Sequence, residues 1–238
     1  RAGPAQLHWP AAAGAAPFMP LYNLAFFAGV RMLGVAVGTA IAIGSAPVWA
    51  GALQAALGGG APRPAWWLGT ALAIGGGTLM VIGPGTTARL DPLGIALCLL
   101  TGLSYAVYAT LNQRLIVRAA PGAVTGAVFA LAALLALPLA WALGGPIEPG
   151  AVGVPAWAVF VWLGVAATGV AYLCFSHALR HVPAATGVTL ALAEPLTAFV
   201  LAIVIVGERP GLAAVAGLVA LVAGLAVVIR AETRAPRR

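Results

Sequence analysis

Long apolar runs alternate along this chain with short breaks that are polar or rich in glycine and proline. A membrane-crossing helix needs about 20 mostly apolar residues. Eight runs approach that length, over 9–30, 35–57, 66–82, 92–111, 124–143, 156–179, 186–206 and 212–229. Apolar residues follow one another within each run instead of alternating with period two, so the pattern predicts helices and not a β-barrel. The breaks carry turn chemistry. Gly58-Gly59-Gly60-Ala61-Pro62-Arg63-Pro64 follows the second run, and 84–91 follows the third. Arg114 and Arg118 mark the next break, a Gly/Pro loop holding Glu148 the one after, then Arg180-His181, and Glu208-Arg209-Pro210 precedes the last run. The expected fold is all-α, a polytopic transmembrane helix bundle.

The seventh run departs from the others. Glu194 and Pro195 stand side by side near its middle, about 12 Å of helix rise from its start. A charge at membrane depth is costly and usually has a partner or a task. Proline lacks an N–H and leaves a carbonyl of the preceding turn free. At that depth irregular backbone is tolerated only against protein or a water-filled cavity. This helix is therefore expected to face something polar. Glu194 then has two readings: a carboxyl that contacts substrate or couples protons, or an acid that bonds the backbone groups freed at Pro195.

Composition sharpens the class. At 62% hydrophobic and 7% charged residues, the chain lies outside the range of soluble domains. All twelve basic residues are arginine, which excludes a P-loop lysine and a Schiff-base lysine. The net charge of +7 then speaks of topology, not of nucleic acid. With loops assigned alternately, nine arginines fall on the side of the C-terminal tail and three (Arg31, Arg89, Arg209) on the other. The bias puts the C-terminus in the cytoplasm of a multi-pass protein of the plasma (inner) membrane. Cys98 and Cys174 lie in apolar runs and read as small buried side chains, with no disulfide framework.

The chain repeats itself. Sliding it by 148 residues brings Pro47 onto Pro195, Gly59 onto Gly207, Pro62 onto Pro210, Gly69 onto Gly217 and Gly76 onto Gly224. Each copy reads as an apolar helix with a mid-span proline, a Gly-x-x-Pro turn, and a helix with glycines seven apart. Residues 1–83 form the end of a first repeat, 92–230 a five-helix second repeat, and 231–238 a basic tail. Runs four and five have no counterpart before residue 1. The expectation is an N-terminally incomplete chain, eight spans of a ten-helix, five-plus-five architecture in which the second copy is inverted.

The residues from Gly164 to Arg230 resemble the second half of an EamA-type transporter of the drug/metabolite transporter superfamily. The likeness rests on Gly169-Val170-Ala171-Tyr172, Ala178-Leu179-Arg180-His181-Val182-Pro183-Ala184, Ala193-Glu194-Pro195, Gly207-Glu208-Arg209-Pro210, Gly217 and Gly224. Residues 20–82 resemble the end of the first repeat on Pro47, Gly59, Pro62, Gly69 and Gly76. Ala46 and Gly60 depart from the pattern, standing opposite Glu194 and Glu208. The resemblance implies a ten-helix bundle with both termini cytoplasmic and movement of small metabolites, amino acids or drugs, in some members coupled to an ion gradient.

Several further side chains are candidates for a central cavity. Tyr105, Tyr108 and Asn112 recur on one face of the fourth run, with Ser104 and Gln113 nearby; interhelical hydrogen bonding explains that stripe equally well. Tyr22, Asn23, Ser45, Trp49, Tyr172 and Thr189 are weaker candidates of the same kind. His177 and His181 are four apart but lack the H-E-x-x-H arrangement, so no metal is expected there; His177 alone is a cavity candidate. Glu208, Arg209 and Pro210 read as a helix cap with an interfacial ion pair. Two stripes, Gly69/Ala73/Gly77 and Ala216/Ala220/Gly224, read as packing seams.

The leading function is a secondary transporter working by alternating access, in the export direction. A membrane-embedded enzyme would need clustered acid/base groups, and four of the five carboxylates fall in loops or tail. An inactive remnant or a regulatory membrane subunit is the third reading. No catalytic set and no cofactor is expected. The expected partners are a small-molecule substrate, the lipid bilayer and protons as coupling ion, without nucleic acid, in a monomer or weak homodimer.

Overall fold

A computed structural model describes residues 7–82, 91–144, 153–207 and 210–233. Among these residues the regular structure is helical. The elements are α1 (Trp9–Ala15), α2 (Phe18–Leu33), α3 (Val35–Ala56), α4 (Pro64–Val81), α5 (Pro92–Ile116), α6 (Pro121–Gly144), α7 (Val154–Trp162), α8 (Ala171–Ala178), α9 (Ala184–Leu190), α10 (Glu194–Leu201) and α11 (Leu212–Thr233). Seven continuous stretches are long and apolar enough to cross a membrane: Trp9–Leu33, Val35–Ala56, Pro92–Ile116, Pro121–Ala142, Val154–Ala178, Ala184–Ile205 and Leu212–Thr233. The protein is a polytopic helical membrane protein. Helix α4, the expected third span, is only 18 residues long, and four glycines and two tryptophans lower its hydropathy.

Boundaries and continuity differ from expectation in instructive ways. Helix α5 runs on to Ile116, so Arg114 lies in its last turn and not in a loop. Helix α11 runs to Thr233 and takes in Glu232, which the sequence pattern assigned to the tail. The first span is interrupted by a turn at Ala16 and Pro17 between α1 and α2. The sixth is α-helical at both ends, with a π-helical segment over Leu163–Val170 between them. The seventh consists of α9, a 3-10 turn (Ala191–Ala193), α10 and a π-helical end (Ala202–Val206). The Gly/Pro loop with Glu148 and the Glu208-Arg209 cap lie outside the described residues.

Two compact units make up the chain. The first holds residues 1–20 and 111–183, hence α1, the end of α5, and α6 to α8. Its helices are tied by polar groups. Asn112 Nδ2 donates to Ser176 Oγ at 2.8 Å, and Thr125 Oγ1 donates to the same oxygen at 2.8 Å, so α5, α6 and α8 meet at one buried serine. Gln113 Nε2 donates to the carbonyls of Leu179 (3.1 Å) and Val182 (2.7 Å), taking up groups left open past the end of α8. Arg180 Nη2 donates to the Ala119 carbonyl at 3.1 Å.

The second unit holds 21–110 and 184–238. Its centre is the pairing of α4 with α11. The residues that touch give the direction: Gly69 lies against Gly224 and Val228, and Gly76 against Gly217 and Leu221, so the two helices run antiparallel. The backbones approach so closely that a Cβ on Gly224 would lie 2.6 Å from the Gly69 carbonyl oxygen. Small residues at the contact permit this. The seam is an intramolecular packing face that keeps Gly69, Ala73 and Gly224 of the expected stripes and adds Gly76 and Gly217, while Ala216 is exposed and Gly77 makes only ordinary contact with Leu221. The glycines seven apart on each helix return to one face after about two turns. Leu192, Leu221 and Leu225 complete the core beside it. A second core joins Leu33, Val37, Ala42 and Cys98.

The helix ends follow local rules. Asp91 caps α5 by accepting the Leu93 and Gly94 N–H groups at Oδ1 (2.8 and 3.1 Å). Helix α3 ends with Gly58 at φ 79°, and the Gly59 N–H reaches back to the Gln54 carbonyl at 3.0 Å. The seventh span ends with Gly207 at φ 77°. The left-handed cap thus falls one residue before the Gly59 that repeat alignment pairs with Gly207. Pro47 sits inside a continuous α3, whereas its partner Pro195 follows a break. The two free cysteines also differ: Cys98 is buried as expected, and Cys174 is exposed. Its helix face turns outward, where a bilayer accepts a small apolar thiol as readily as a core does.

Candidate functional site

Glu194 opens α10 directly after the 3-10 turn. Pro195 follows in the first turn of α10, where its missing N–H costs little. The carbonyl that proline should orphan is that of Ala191, four residues earlier. It is taken instead by the Glu194 backbone N–H, which closes the 3-10 turn. The Ala193 carbonyl receives the Thr197 hydroxyl at 3.4 Å. Backbone irregularity here is satisfied locally, so the expected free carbonyl is not there for the carboxyl to serve. The Glu194 side chain is exposed and has no hydrogen bond or ion pair with any described residue.

Aromatic rings stand near this carboxyl. Tyr22 and Tyr105 both lie within reach of its charge. Tyr22 on α2 faces Tyr105 on α5 with ring centroids 6.0 Å apart, tilted by 49°. Tyr105 stacks toward Tyr108 at 6.5 Å. Tyr22 stacks on Phe26 at 6.2 Å with planes 2° apart. Tyr22 and Tyr105 are half-buried, and Tyr108 is fully buried. The described arginines of this unit, Arg31, Arg63 and Arg230, stand at or beside helix ends and not at mid-span.

The remaining candidates are placed elsewhere or occupied by packing. Thr189 is fully buried and donates to the Ala185 carbonyl. Ser45 donates to the Ala42 carbonyl at 3.2 Å and fills the space beside Gly102. Ser104 donates back to the Leu100 carbonyl. Trp49 and Asn23 are exposed on α3 and α2. Asn112 belongs to the first unit, in the serine-centred network described above. Tyr172 also lies there, half-buried, its ring 4.8 Å from Phe129. His177 is exposed, with Nδ1 2.8 Å from the Leu173 carbonyl of its own helix.

Sequence reasoning missed one polar chain. Trp66 Nε1 donates to Thr186 Oγ1 at 3.2 Å, and the Thr186 hydroxyl donates to Glu232 Oε2 at 2.8 Å. Trp66 and Thr186 are each 2% exposed. The chain ties the start of α9 to the start of α4 and the end of α11, holding one end of the span that carries Glu194. The available signal was an acid in the last turn of an apolar helix; its partners stand 46 and 166 residues earlier.

A membrane-embedded helical bundle, with a broken span and an open carboxyl beside aromatic rings, is the class of architecture found in carriers. The chain belongs to the EamA-like transporter family, whose family model matches residues 92–230. It is 36% identical over 232 residues to "Uncharacterized transporter YwfM" of Bacillus subtilis (strain 168), a match covering 97% of this chain and 75% of that protein. A solved structure described as "Crystal structure of protein" superimposes with a TM-score of 0.79 at 23% identity, covering 95% of this chain and 78% of that one, a likeness of fold. The protein is thus a membrane transporter.

Proposed function

We propose that this protein is a secondary transporter that exports a small metabolite, amino acid or drug-like molecule by alternating access, with Glu194 as the substrate-contacting or proton-coupling group. One observation carries the reading. Glu194 stands mid-span in a broken helix, exposed and unpaired among the described residues, while the Ala191 carbonyl that Pro195 would orphan is taken by the Glu194 backbone N–H. A carboxyl kept at that depth without a structural partner has its task elsewhere. Its charge acts on Tyr22 and Tyr105.

The glycine seam supports an inverted repeat. Gly69 pairs by sequence with Gly217, and Gly76 with Gly224, at the common offset of 148. In space Gly69 touches Gly224 and Gly76 touches Gly217. Such an exchange of partners is what a two-fold axis relating the copies produces. In this reading, 1–83 and 92–230 are the two repeats, and their relative movement exposes the site to either side.

The test is proton-gradient-driven efflux of a mixed metabolite panel from vesicles holding wild type or Glu194→Gln, with insertion matched. The expected result is gradient-driven movement by wild type that Glu194→Gln abolishes or uncouples from the pH gradient. Normal transport by the variant, with the same pH dependence, would remove Glu194 from the mechanism and leave the transporter reading intact.

A further inference from the structure

The charges of the first unit are unbalanced. Its described residues include Arg114, Arg118 and Arg180 and no aspartate or glutamate. In the second unit Arg31, Arg63 and Arg230 share the fold with Asp91, Glu194 and Glu232. The three unmatched arginines are gathered at one end. Arg114 stands in the last turn of α5. Beyond Ile116 the Arg118 and Ala119 N–H groups both reach the Leu115 carbonyl, at 3.0 and 3.1 Å, which keeps Arg118 about one turn past Arg114. Arg180 follows the end of α8 and donates from Nη2 to the Ala119 carbonyl at 3.1 Å. Gln113, beside Arg114, donates to the Leu179 and Val182 carbonyls at 3.1 and 2.7 Å and pins the same two connections together. All three arginines are exposed.

Helix ends account for part of this charge. The C-terminus of a helix carries about half a negative charge, which a nearby cation offsets. Helices α5 and α8 both end here, but α6 begins here, and its N-terminus carries about half a positive charge. Three guanidiniums therefore keep most of their charge without a partner among the described residues. A guanidinium fork matches phosphate oxygens through parallel N–H groups. Arg180 uses one donor on Ala119, which fixes its place and leaves the rest of its fork for an anion. Apolar surface continues from the charge. Val117, between Arg114 and Arg118, is 79% exposed, and Cys174 and Ala178 are exposed on α8. A phosphate that carries acyl chains meets both surfaces, whereas a free phosphate meets the charge alone. The arginine bias assigns this end to the cytoplasmic leaflet, the one with negative surface potential.

We propose that the end of the first unit formed by Arg114, Arg118 and Arg180 is a docking surface for the phosphate headgroup of an anionic phospholipid, with its acyl chains against Val117 and the outer face of α8. The proposal is independent of Glu194 and of the transport mechanism.

The test is retention of radiolabelled dioleoylphosphatidylglycerol by the full chain in detergent micelles, with dioleoylphosphatidylcholine as the zwitterionic control of the same chain length. The expected result is saturable retention of the anionic lipid, about tenfold or more tighter than the zwitterionic one, the scale of a charge-assisted contact. The double variant Arg114→Gln/Arg118→Gln should remove that preference, and so should Arg118→Gln/Arg180→Gln. Arg31→Gln, which removes one charge from the second unit, should leave it unchanged. Thermal unfolding in lipid-free detergent monitors the fold of each variant. Arg180 also holds the Ala119 carbonyl, so the Arg114→Gln/Arg118→Gln variant decides the matter if the other does not fold. Four outcomes each overturn the proposal: equal retention of the two lipids, an unchanged preference in Arg114→Gln/Arg118→Gln, an equal loss from Arg31→Gln, or displacement of the lipid by inorganic phosphate at matched ionic strength, which would make this a site for free anions. None of them bears on gradient-driven efflux, by which the transporter reading is judged.

Discussion

At the scale of single residues, Ser176 is tied to partners and Glu194 is kept open, and the difference assigns their roles. Ser176 accepts from both Asn112 and Thr125, and all three are buried. Ser176→Ala leaves two donors without that acceptor and should cost about 1–3 kcal/mol. Thermal unfolding in detergent should show a lowered Tm, and a double-mutant cycle with Thr125→Val should give a coupling of about 0.6–1.7 kcal/mol. A Tm equal to wild type would mean that the network is idle. Thr186→Val removes the link between Trp66 and Glu232, with a similar expected loss; Thr186→Ser keeps the hydroxyl and should restore it. Sequence alone separated these cases only in part. Glu194 was legible because a charge inside an apolar run has no local excuse. Asn112 was legible as inward-facing, since lipid offers its amide nothing, but its acceptor lies 64 residues on. Trp66, Thr186 and Glu232 were not singled out, because each is ordinary in its own helix and only the fold brings them together.

At the scale of elements, the glycines of α4 are not equivalent, and their spacing alone does not rank them. A Cβ on Gly76 would collide with the backbone of Leu221 and with the Gly217 carbonyl oxygen, while one on Gly75 would meet nothing within 4 Å. Gly75→Ala should therefore leave stability unchanged or raise it slightly, since alanine is the better helix former. Gly76→Ala should force α4 and α11 apart and cost about 1–3 kcal/mol. Unfolding midpoints of the two adjacent variants, measured side by side, check this; equal effects would mean that the seam is looser than described. The seventh span obeys similar logic. Pro195 predicts an irregularity from its missing N–H, and the 3-10 turn before it is that irregularity. Its form was not readable, because the 3-10 bond depends on the Glu194 N–H and Ala191 carbonyl aligning in the folded backbone. Pro47, with the same missing N–H, leaves α3 unbroken. A proline thus marks where a helix is permitted to break, and its surroundings decide whether it does.

At the scale of the whole molecule, apolar run length carried most of the architecture. Residues facing lipid and residues facing protein are alike apolar, so the runs remain visible whichever way they turn. For the same reason the pattern could not tell which faces touch: the α4–α11 register emerged only from the backbone contacts at Gly69, Gly76, Gly217 and Gly224. The arginine bias and the repeat together make a further prediction about sidedness. Ala61, in the connection from α3 to α4, lies three residues before the start of α4; Gly211 lies just before α11. Repeat alignment makes these two connections counterparts, yet α4 and α11 run antiparallel, so the starts of the two helices point to opposite membrane faces. The arginine count puts Ala61 on the cytoplasmic side and Gly211 outside. In a background with Cys98 and Cys174 replaced, a membrane-impermeant thiol reagent should label Gly211→Cys in intact cells. It should label Ala61→Cys only after the membrane is opened. Labelling of both from the same side would contradict an inverted repeat, whereas labelling on opposite sides with the order reversed would keep the repeat and overturn the arginine-based orientation.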